Sequence, residues 1–290
     1  MADSLGRKEV RRALAEDHAD NDVTTALLGK VAGQPAEARF VAEARFVVAG
    51  LFLVEIVFRE LDPHAKVALT VKDGAWVEPG ASIASVRSSA EALLGGERVA
   101  LNLLQRLSGT ATLTRQAVDA VNGTGARITH TRKTTPGLRE LEMYAVRAGG
   151  GVDNRASLAD AALWKDNHWA MLDAAGDSLL KAIRRAPPGL PVMVEVETDA
   201  QLDQAIAANV QHILVDNRTP SEIREWCQRI PKGVTIQASG GIRADTARGY
   251  AEAGANLISI GALTHSAPAV NISCEISPAI NGGLGQAKRP

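Results

Sequence analysis

Arg132 and Lys133 stand side by side, and Pro136 follows three residues later, so two cations sit just before a helix start. Further along come Lys165 in "LWKDNH", Glu195 and Glu197 in "VEVE", Asp216 in "LVDN" and Ser239-Gly240-Gly241 in "SGGI". The basic set, Arg132, Lys133, Arg139, Arg155 and Lys165, suits a ligand with several carboxylates, because guanidinium and ammonium groups make charge-assisted hydrogen bonds to such oxygens. The glycine turn suits a phosphate, since glycines admit close backbone approach and a following helix N-terminus offers free N–H groups. Glu195 and Asp216 suit ribose hydroxyls or a hydrated Mg²⁺, which takes one or two carboxylates plus substrate oxygens. A polycarboxylate, a sugar phosphate and Mg²⁺ together point to phosphoribosyl transfer.

Each piece has a plainer reading. Arg132-Lys133 could be a solvated loop pair, and Lys165 an ordinary strand-end lysine. Glu195 and Glu197 alternate with valines and share one face of a strand, so they could face water on an edge strand. On a central strand an unpaired buried carboxylate would be costly. Asp216 could cap the helix that begins near Pro220, and Ser239-Gly240-Gly241 could be a simple tight turn. His168 is read as a structural histidine.

The elements that must position these groups change character along the chain. Over residues 1–108 the pattern is mixed α and β. "EVRRALAED" has helical spacing, "ARFVAEARFVVAG" alternates as a strand, and "LFLVEIVFRELD" places Leu53, Ile56, Val57 and Leu61 on one helical stripe. "KVALTVKDGAWVEPGASIASVRS" predicts three short strands divided by the turn dipeptides Asp73-Gly74 and Pro79-Gly80. The stretch from Ser89 to Gly123 reads as mostly helical with a break at Gly95-Gly96. From Ala126 onward six short apolar strands, "ARITHT", "AALWK", "VMVEVET", "HILVDN", "VTIQAS" and "LISIG", alternate with helices. That is the pattern of a parallel sheet built from βαβ units. A complete (β/α)₈ barrel needs eight steps; an incomplete barrel and an open doubly wound sheet both fit. Five or six of the polar groups above fall at C-terminal strand ends, where parallel α/β folds bind ligands. No GxGxxG follows the first strand, which weakens a dinucleotide-binding reading.

Composition excludes several classes. Lys and Arg number 32 against 33 Asp and Glu, a net charge of −1, so no global field draws the chain to nucleic acid or an anionic membrane. Cys227 and Cys274 lie in no CxxC or Cys/His ligand spacing, which argues against a disulfide scaffold or zinc site and makes a reducing cytoplasm the default. The start "MADSLGRKEVRRALAED" is charged and lacks the apolar core of a signal peptide, and the longest apolar runs are too short to span a bilayer.

The segments "GERVALNLLQRLSGTAT", "THTRKTTPGLR", "YAVRAGGG", "LWKDNH", "VEVE", "LVDN", "SGGI" and "GALTHS" occur in an order that resembles the quinolinate phosphoribosyltransferase family over nearly the whole chain. The resemblance implies an α/β protein with an N-terminal open α/β sandwich (1–108), an incomplete seven-stranded α/β barrel (109–268), and a tail (269–290) returning to the N-terminal domain. It implies a homodimer with shared active sites, with Arg98 of "GERVALN" supplied to the neighbouring subunit. It implies that Arg132, Lys133, Arg155 and Lys165 hold the quinolinate carboxylates. Glu195 and Asp216 would lie near the ribose and Mg²⁺, and Ser239, Gly240, Gly261 and His265 in the segments around the 5′-phosphate. The implied reaction converts quinolinate and phosphoribosyl pyrophosphate to nicotinate mononucleotide, pyrophosphate and CO₂, with Lys133, Lys165, Glu195 and Asp216 as the catalytic set.

Four positions depart from the family pattern. Met143 replaces a lysine, Asn154 a histidine, Gln237 a glutamate and Asn271 an aspartate. Asn154 is read as a weakened contact to the acceptor's carboxylate. Two alternatives follow: a paralogue acting on a different pyridine or aromatic acid, and a catalytically inactive structural homologue. The intact cations and carboxylates argue against the second, because clustered like charges repel one another.

Overall fold

A computed structural model describes residues 5–279. The chain divides into two units, one running up to Gly109 and resuming at Pro268, the other spanning Thr110–Ala267.

The first unit opens with helices α1 (Arg7–Glu16) and α2 (Val23–Ala26), then strands β1 (Pro35–Ala42) and β2 (Phe46–Val47) and helix α3 (Leu51–Leu61). Strands β3 (Lys66–Leu69), β4 (Trp76–Val77) and β5 (Ser82–Ser89) follow, and the long helix α4 (Ala90–Ala120) carries the chain across the boundary between units. The three short strands thus lie where the turn dipeptides divide them. A final strand, here β12 (Ile272–Pro278), pairs antiparallel with β1 and completes a four-stranded sheet in the order β12-β1-β5-β3. Alternation along β1 buries Ala36, Ala38, Phe40 and Ala42 on one face. Phe40 meets Phe58 of α3 edge to face, with centroids 6.1 Å apart. The stripe of α3 buries Leu53 and Val57 together with Leu51, Val54 and Phe58, while Ile56 and Leu61 lie at its half-buried margin.

The expected break at Gly95-Gly96 is absent, and α4 runs unbroken. The glycines serve close packing instead. A Cβ on Gly96 would stand 2.7 Å from Phe58 Cε1 and 3.0 Å from Leu61 Cδ1, and one on Gly95 2.9 Å from the Ala19 carbonyl oxygen. Close packing, against α3 at Gly96 and against the Ala19 backbone at Gly95, outweighs the roughly 1 kcal/mol helix penalty of each glycine.

In the second unit β6 (Arg127–Thr129) leads to α5 (Arg139–Ala148), β7 (Ala162–Trp164) to α6 (Asp166–Ala174) and α7 (Leu179–Ile183), and β8 (Val192–Val196) to α8 (Asp199–Ala207). Then β9 (His212–Asp216) leads to α9 (Pro220–Arg229), β10 (Thr235–Ser239) to α10 (Ala247–Glu252), and β11 (Leu257–Ser259) to α11 (Ala262–His265). All six expected strands form, in one parallel sheet ordered β6-β11-β10-β9-β8-β7. Against the implied seven, the seventh position is a single parallel bridge from Thr129 to Val152 beside β6. Val194, Val196, Ile213, Val215, Ile236, Ala238 and Ile258 face a core shared with the helices. The residues between them, Glu195, Leu214, Gln237 and Ser259, face the other way. Thr219, not Asp216, caps α9: its side chain accepts from the Glu222 N–H. Asp216 is therefore left for other work.

Candidate active site

The C-terminal strand ends surround a cleft of about 330 Å³. Thr131, Arg132 and Lys133 beyond β6, Asn154 and Arg155 beyond the Val152 bridge, and Leu163 and Lys165 at β7 line it. Glu195 of β8, Leu214 and Asp216 of β9, Ser239 of β10 and Ser259 of β11 complete the lining. Every cation except Arg139 that the sequence singles out in this unit is in that wall.

β8 is an interior strand, flanked by β7 and β9, so Glu195 is buried, with 8% of its surface exposed. Burial pushes its carboxyl above the ordinary carboxylate range, and the Lys165 ammonium, 3.0 Å away, opposes that rise. The edge-strand reading of Glu195 is thereby excluded. Glu195, Glu197 and Asp216 bring carboxylate oxygens within 4.8 Å of one another. Glu197 was not among the expected metal-site residues, although its place two residues after Glu195 already put both on one face. Asn217, held at φ +54°, donates from its amide to Asp216 Oδ2 at 2.7 Å. Hard oxygen donors of this kind fit Mg²⁺ or a similar cation.

Arg155 donates to the Ala161 carbonyl at 3.1 Å. Burial, and then the Arg132 guanidinium nearby, lower its affinity for its proton. Two guanidinium groups held close, one of them partly desolvated, favour an anion between them. Among the described residues, the buried Nε of Arg132 has no hydrogen-bond partner. A buried donor of this kind costs free energy until an acceptor arrives.

Asn154 lines the cleft, but its amide is committed locally: Nδ2 donates to the His130 carbonyl at 3.1 Å and Oδ1 accepts from the Arg155 N–H at 2.9 Å. It ties the loop carrying Arg155 to the strand end carrying Arg132. His130, buried and pushed by that burial toward its neutral form, accepts from the Asn154 N–H through Nε2 at 3.2 Å. Glu142 of α5, fully buried, accepts from both the N–H and the hydroxyl of Thr135 and so straps the loop after Lys133. Sequence reasoning missed both His130 and Glu142. His130 lies inside the conspicuous "THTRK" run, whereas nothing in spacing flags Glu142.

The remaining expected residues fall outside the lining. Arg139 is taken up by Thr134 Oγ1 at 3.0 Å and the Ala156 carbonyl at 3.1 Å, so it braces the cleft's edge. Gly240 lies against Asn217: a Cβ there would stand 2.5 Å from the Asn217 nitrogen, and its φ is +93°. Only glycine fits. The Ser239-Gly240-Gly241 turn does not open a helix, because α10 starts at Ala247, so the expected helix N-terminal cradle is corrected to a glycine turn alone. Gly261 packs against the His265 ring and near the Lys133 side chain, and the Thr264 hydroxyl donates to the Lys133 carbonyl at 2.7 Å. Arg98 is exposed on α4 in the first unit. His168 accepts from the Lys165 N–H at 3.1 Å and meets the Trp164 ring edge-on, a structural role. Of the departures, Gln237 is fully buried against His212 and Ser259, Met143 is half-buried on α5, and Asn271 is exposed in the first unit.

A parallel α/β unit with cations and carboxylates converging at its strand ends is the architecture of an enzyme that handles anionic substrates. Family models for the quinolinate phosphoribosyl transferase N-terminal and C-terminal domains match residues 22–108 and 110–275. The chain belongs to the quinolinate phosphoribosyltransferase family. It is similar to a probable nicotinate-nucleotide pyrophosphorylase [carboxylating] of Bacillus subtilis (strain 168), 40% identical over 272 residues, 93% of each chain. It is also similar to the nicotinate-nucleotide pyrophosphorylase [carboxylating] of Mycobacterium leprae (strain TN), 40% identical over 278 residues, 93% of this chain and 96% of the other. The crystal structure of NadC from Streptococcus pyogenes superposes with a TM-score of 0.88 at 33% identity, covering 97% of this chain and 100% of that one. No helix among the described residues is long and apolar enough to cross a membrane.

Proposed function

We propose that this protein transfers the phosphoribosyl group of phosphoribosyl pyrophosphate to quinolinate with loss of CO₂, giving nicotinate mononucleotide and pyrophosphate for de novo NAD biosynthesis. The observation that carries the reading is the wall of Arg132, Lys133, Arg155 and Lys165, with one buried Arg132 donor unpartnered among the described residues, facing Glu195 and Asp216 across one cleft. The names of the relatives point the same way.

The guanidinium groups would hold the two carboxylates of the pyridine and aim its ring nitrogen at C1 of the ribose. As the C1–pyrophosphate bond stretches, positive charge grows on the sugar, and the Glu195 and Asp216 carboxylates oppose it. The ring nitrogen then takes C1. Once the nitrogen is quaternary, the adjacent carboxylate leaves as CO₂, the electron pair stays on the ring carbon beside the positive nitrogen, and that carbon takes up a proton from solvent. Lys165 would hold Glu195 ionised in its buried place while lending charge to the acceptor. Glu195 and Asp216, with Glu197, would hold Mg²⁺, partly through water, and the ion would offset charge on the departing pyrophosphate. Positioning supplies most of the acceleration, since no covalent enzyme intermediate is needed. Ser239, Gly240, Gly261 and His265 would surround the 5′-phosphate. The working form would be a cytoplasmic homodimer, with Arg98 of one subunit reaching the other's site.

The departures leave this chemistry in place. Gln237 removes a charge beneath the cleft rather than in its wall, and the Asn154 amide is occupied by backbone. A different pyridine carboxylate is the second reading, raised by the departures from the family pattern at Asn154 and Gln237. A product assay offering quinolinate and other pyridine carboxylates with phosphoribosyl pyrophosphate and Mg²⁺ tests both. Turnover of quinolinate is expected. Turnover of another acid alone would shift the substrate. No product, and no rise in melting temperature with either ligand, would mark an inactive homologue.

A further inference from the structure

Below the cleft wall, on the inward faces of three adjacent strands, runs a short polar chain, buried at Gln237 and Ser259 and half-buried at His212. Gln237 of β10 is fully buried, aligned by register with Leu214 of β9 and Leu257 of β11. Its Oε1 lies 2.6 Å from Nε2 of His212, at the start of β9, and its Nε2 donates to the hydroxyl of Ser259 on β11. Ser259 is 3% exposed and lines the cleft. Among the described residues, Gln237 is the one hydrogen-bond partner of that hydroxyl.

Donor and acceptor chemistry gives the chain a direction. With the Gln237 carboxamide oxygen turned to His212, that oxygen accepts and the His212 Nε2 beside it carries the proton. A carboxamide nitrogen can only donate, so the Ser259 oxygen accepts with one lone pair, and among the described residues no acceptor takes its own proton. The free side of Ser259 is the cleft. His130 is wired the opposite way: Nδ1 lies 3.3 Å from the Thr131 carbonyl, an acceptor, and Nε2 accepts from the Asn154 N–H. In this arrangement the buried His130 and the half-buried His212 hold opposite tautomers. Burial also disfavours a charged His212.

We propose that Ser259 is a ligand-binding residue whose hydroxyl proton is turned into the cleft by the neutral His212–Gln237 relay, there to donate to an anionic oxygen of the substrate. Gln237 is then a positioning residue, and the amide at this place gives Ser259 a fixed donor sense with no ionisable group at the relay's centre. The proposal rests on the reading that the cleft binds anionic substrates. The oxygen could belong to the pyridine carboxylate or to a phosphate, and separate titrations distinguish them.

The relay is read directly by ¹⁵N NMR of the histidine side chains in the full chain, with His212 identified by the signal lost in His212→Asn. The expected spectrum has His212 protonated on Nε2 and His130 on Nδ1. His212 protonated on Nδ1 alone would mean that the relay runs backwards and would overturn the proposal. Binding is then measured by titration with quinolinate and with phosphoribosyl pyrophosphate separately. Ser259→Ala is expected to weaken one of them roughly tenfold, as for a hydrogen bond to a charged acceptor, and Ser259→Thr to restore it. In a Gln237→Met background, Ser259→Ala should cost markedly less than that. Equal penalties in both backgrounds, or unchanged affinity for both ligands in Ser259→Ala, would sink the idea while wild-type binding stands. Absence of binding by the wild type would instead remove the functional reading, and this inference with it.

Discussion

Replacing Lys165 with methionine keeps the length of the side chain and deletes its charge, which isolates what the ammonium does for Glu195. The pair is 3.0 Å apart, and the two side chains are 43% and 9% exposed. Leaving a buried acceptor unsatisfied costs about 1–3 kcal/mol. The lysine end is well exposed, so solvent screening brings the expectation to roughly 1–2 kcal/mol. The pH dependence follows from the direction of the Glu195 shift. Its folded-state affinity for a proton is already raised by burial, and losing Lys165 raises it further. The folded protein then binds more protons than the unfolded chain, so stability falls as pH rises through the window between the unfolded and folded values. The variant should be destabilised at pH 8 and approach wild type toward pH 5, as Glu195 becomes protonated. Three of the four tryptophans, Trp164, Trp169 and Trp226, lie in the second unit, so fluorescence-monitored urea unfolding reads that unit preferentially. Adding Glu195→Gln should remove the penalty at pH 8. A loss of the same size at both pH values, untouched by Glu195→Gln, would refute an electrostatic role for the pair and leave only lost packing.

Other expectations concern separate parts of the chain. Arg132→Ala removes a partly buried charged donor, which should weaken quinolinate by about 1.5–3 kcal/mol, or roughly ten- to a hundredfold; titration with an unchanged Kd would clear Arg132 of the role. Gly96→Ala, ordinarily favourable in a helix, should instead destabilise the first unit by about 1–3 kcal/mol through overlap with Phe58 and Leu61; a raised unfolding midpoint would contradict the packing account. Mixing Arg98→Ala chains with Lys165→Ala chains should restore activity that neither has alone, because one site in a mixed dimer keeps both residues. No recovery, with subunit exchange confirmed, would count against shared sites.

The strand ends were legible because a parallel sheet forces its chemistry to one edge, and short apolar runs reveal the strands. Lys165, Glu195 and Asp216 could be placed together from spacing alone, since each ends or nearly ends such a run. What spacing could not convey is what a side chain touches. Gly95 and Gly96 look like a helix break in one dimension and are a contact surface in three. The Ser-Gly-Gly turn looks like the entrance to α10, yet the chain makes a further turn before Ala247. Asn154 reads as a depleted ligand contact, while its amide is spent on the His130 carbonyl and the Arg155 N–H. Glu142 and the His212–Gln237–Ser259 chain join residues far apart in sequence, and no periodicity marks such partners. Asp216 shows the reverse: its capping alternative vanished only when Thr219 proved to hold the helix end.

The pairing of β12 with β1 sets an order of events during synthesis. Ala42 opposes Ile272 and Ala36 opposes Pro278, so one edge of β1 waits for a strand encoded beyond the entire second unit. At ribosomal speeds of roughly 5–20 residues per second, that wait is on the order of ten to fifty seconds. The second unit is itself synthesised during that wait, while the first cannot complete its sheet until the wait ends. The exposed edge of β1 is then a nascent-chain hazard, open to pairing with another chain's strand. Transient shielding of that edge, by a chaperone or by rapid arrival of β12, becomes a condition of yield rather than of stability. A chain cut short before Ile272 would therefore fail chiefly by aggregation through its first unit.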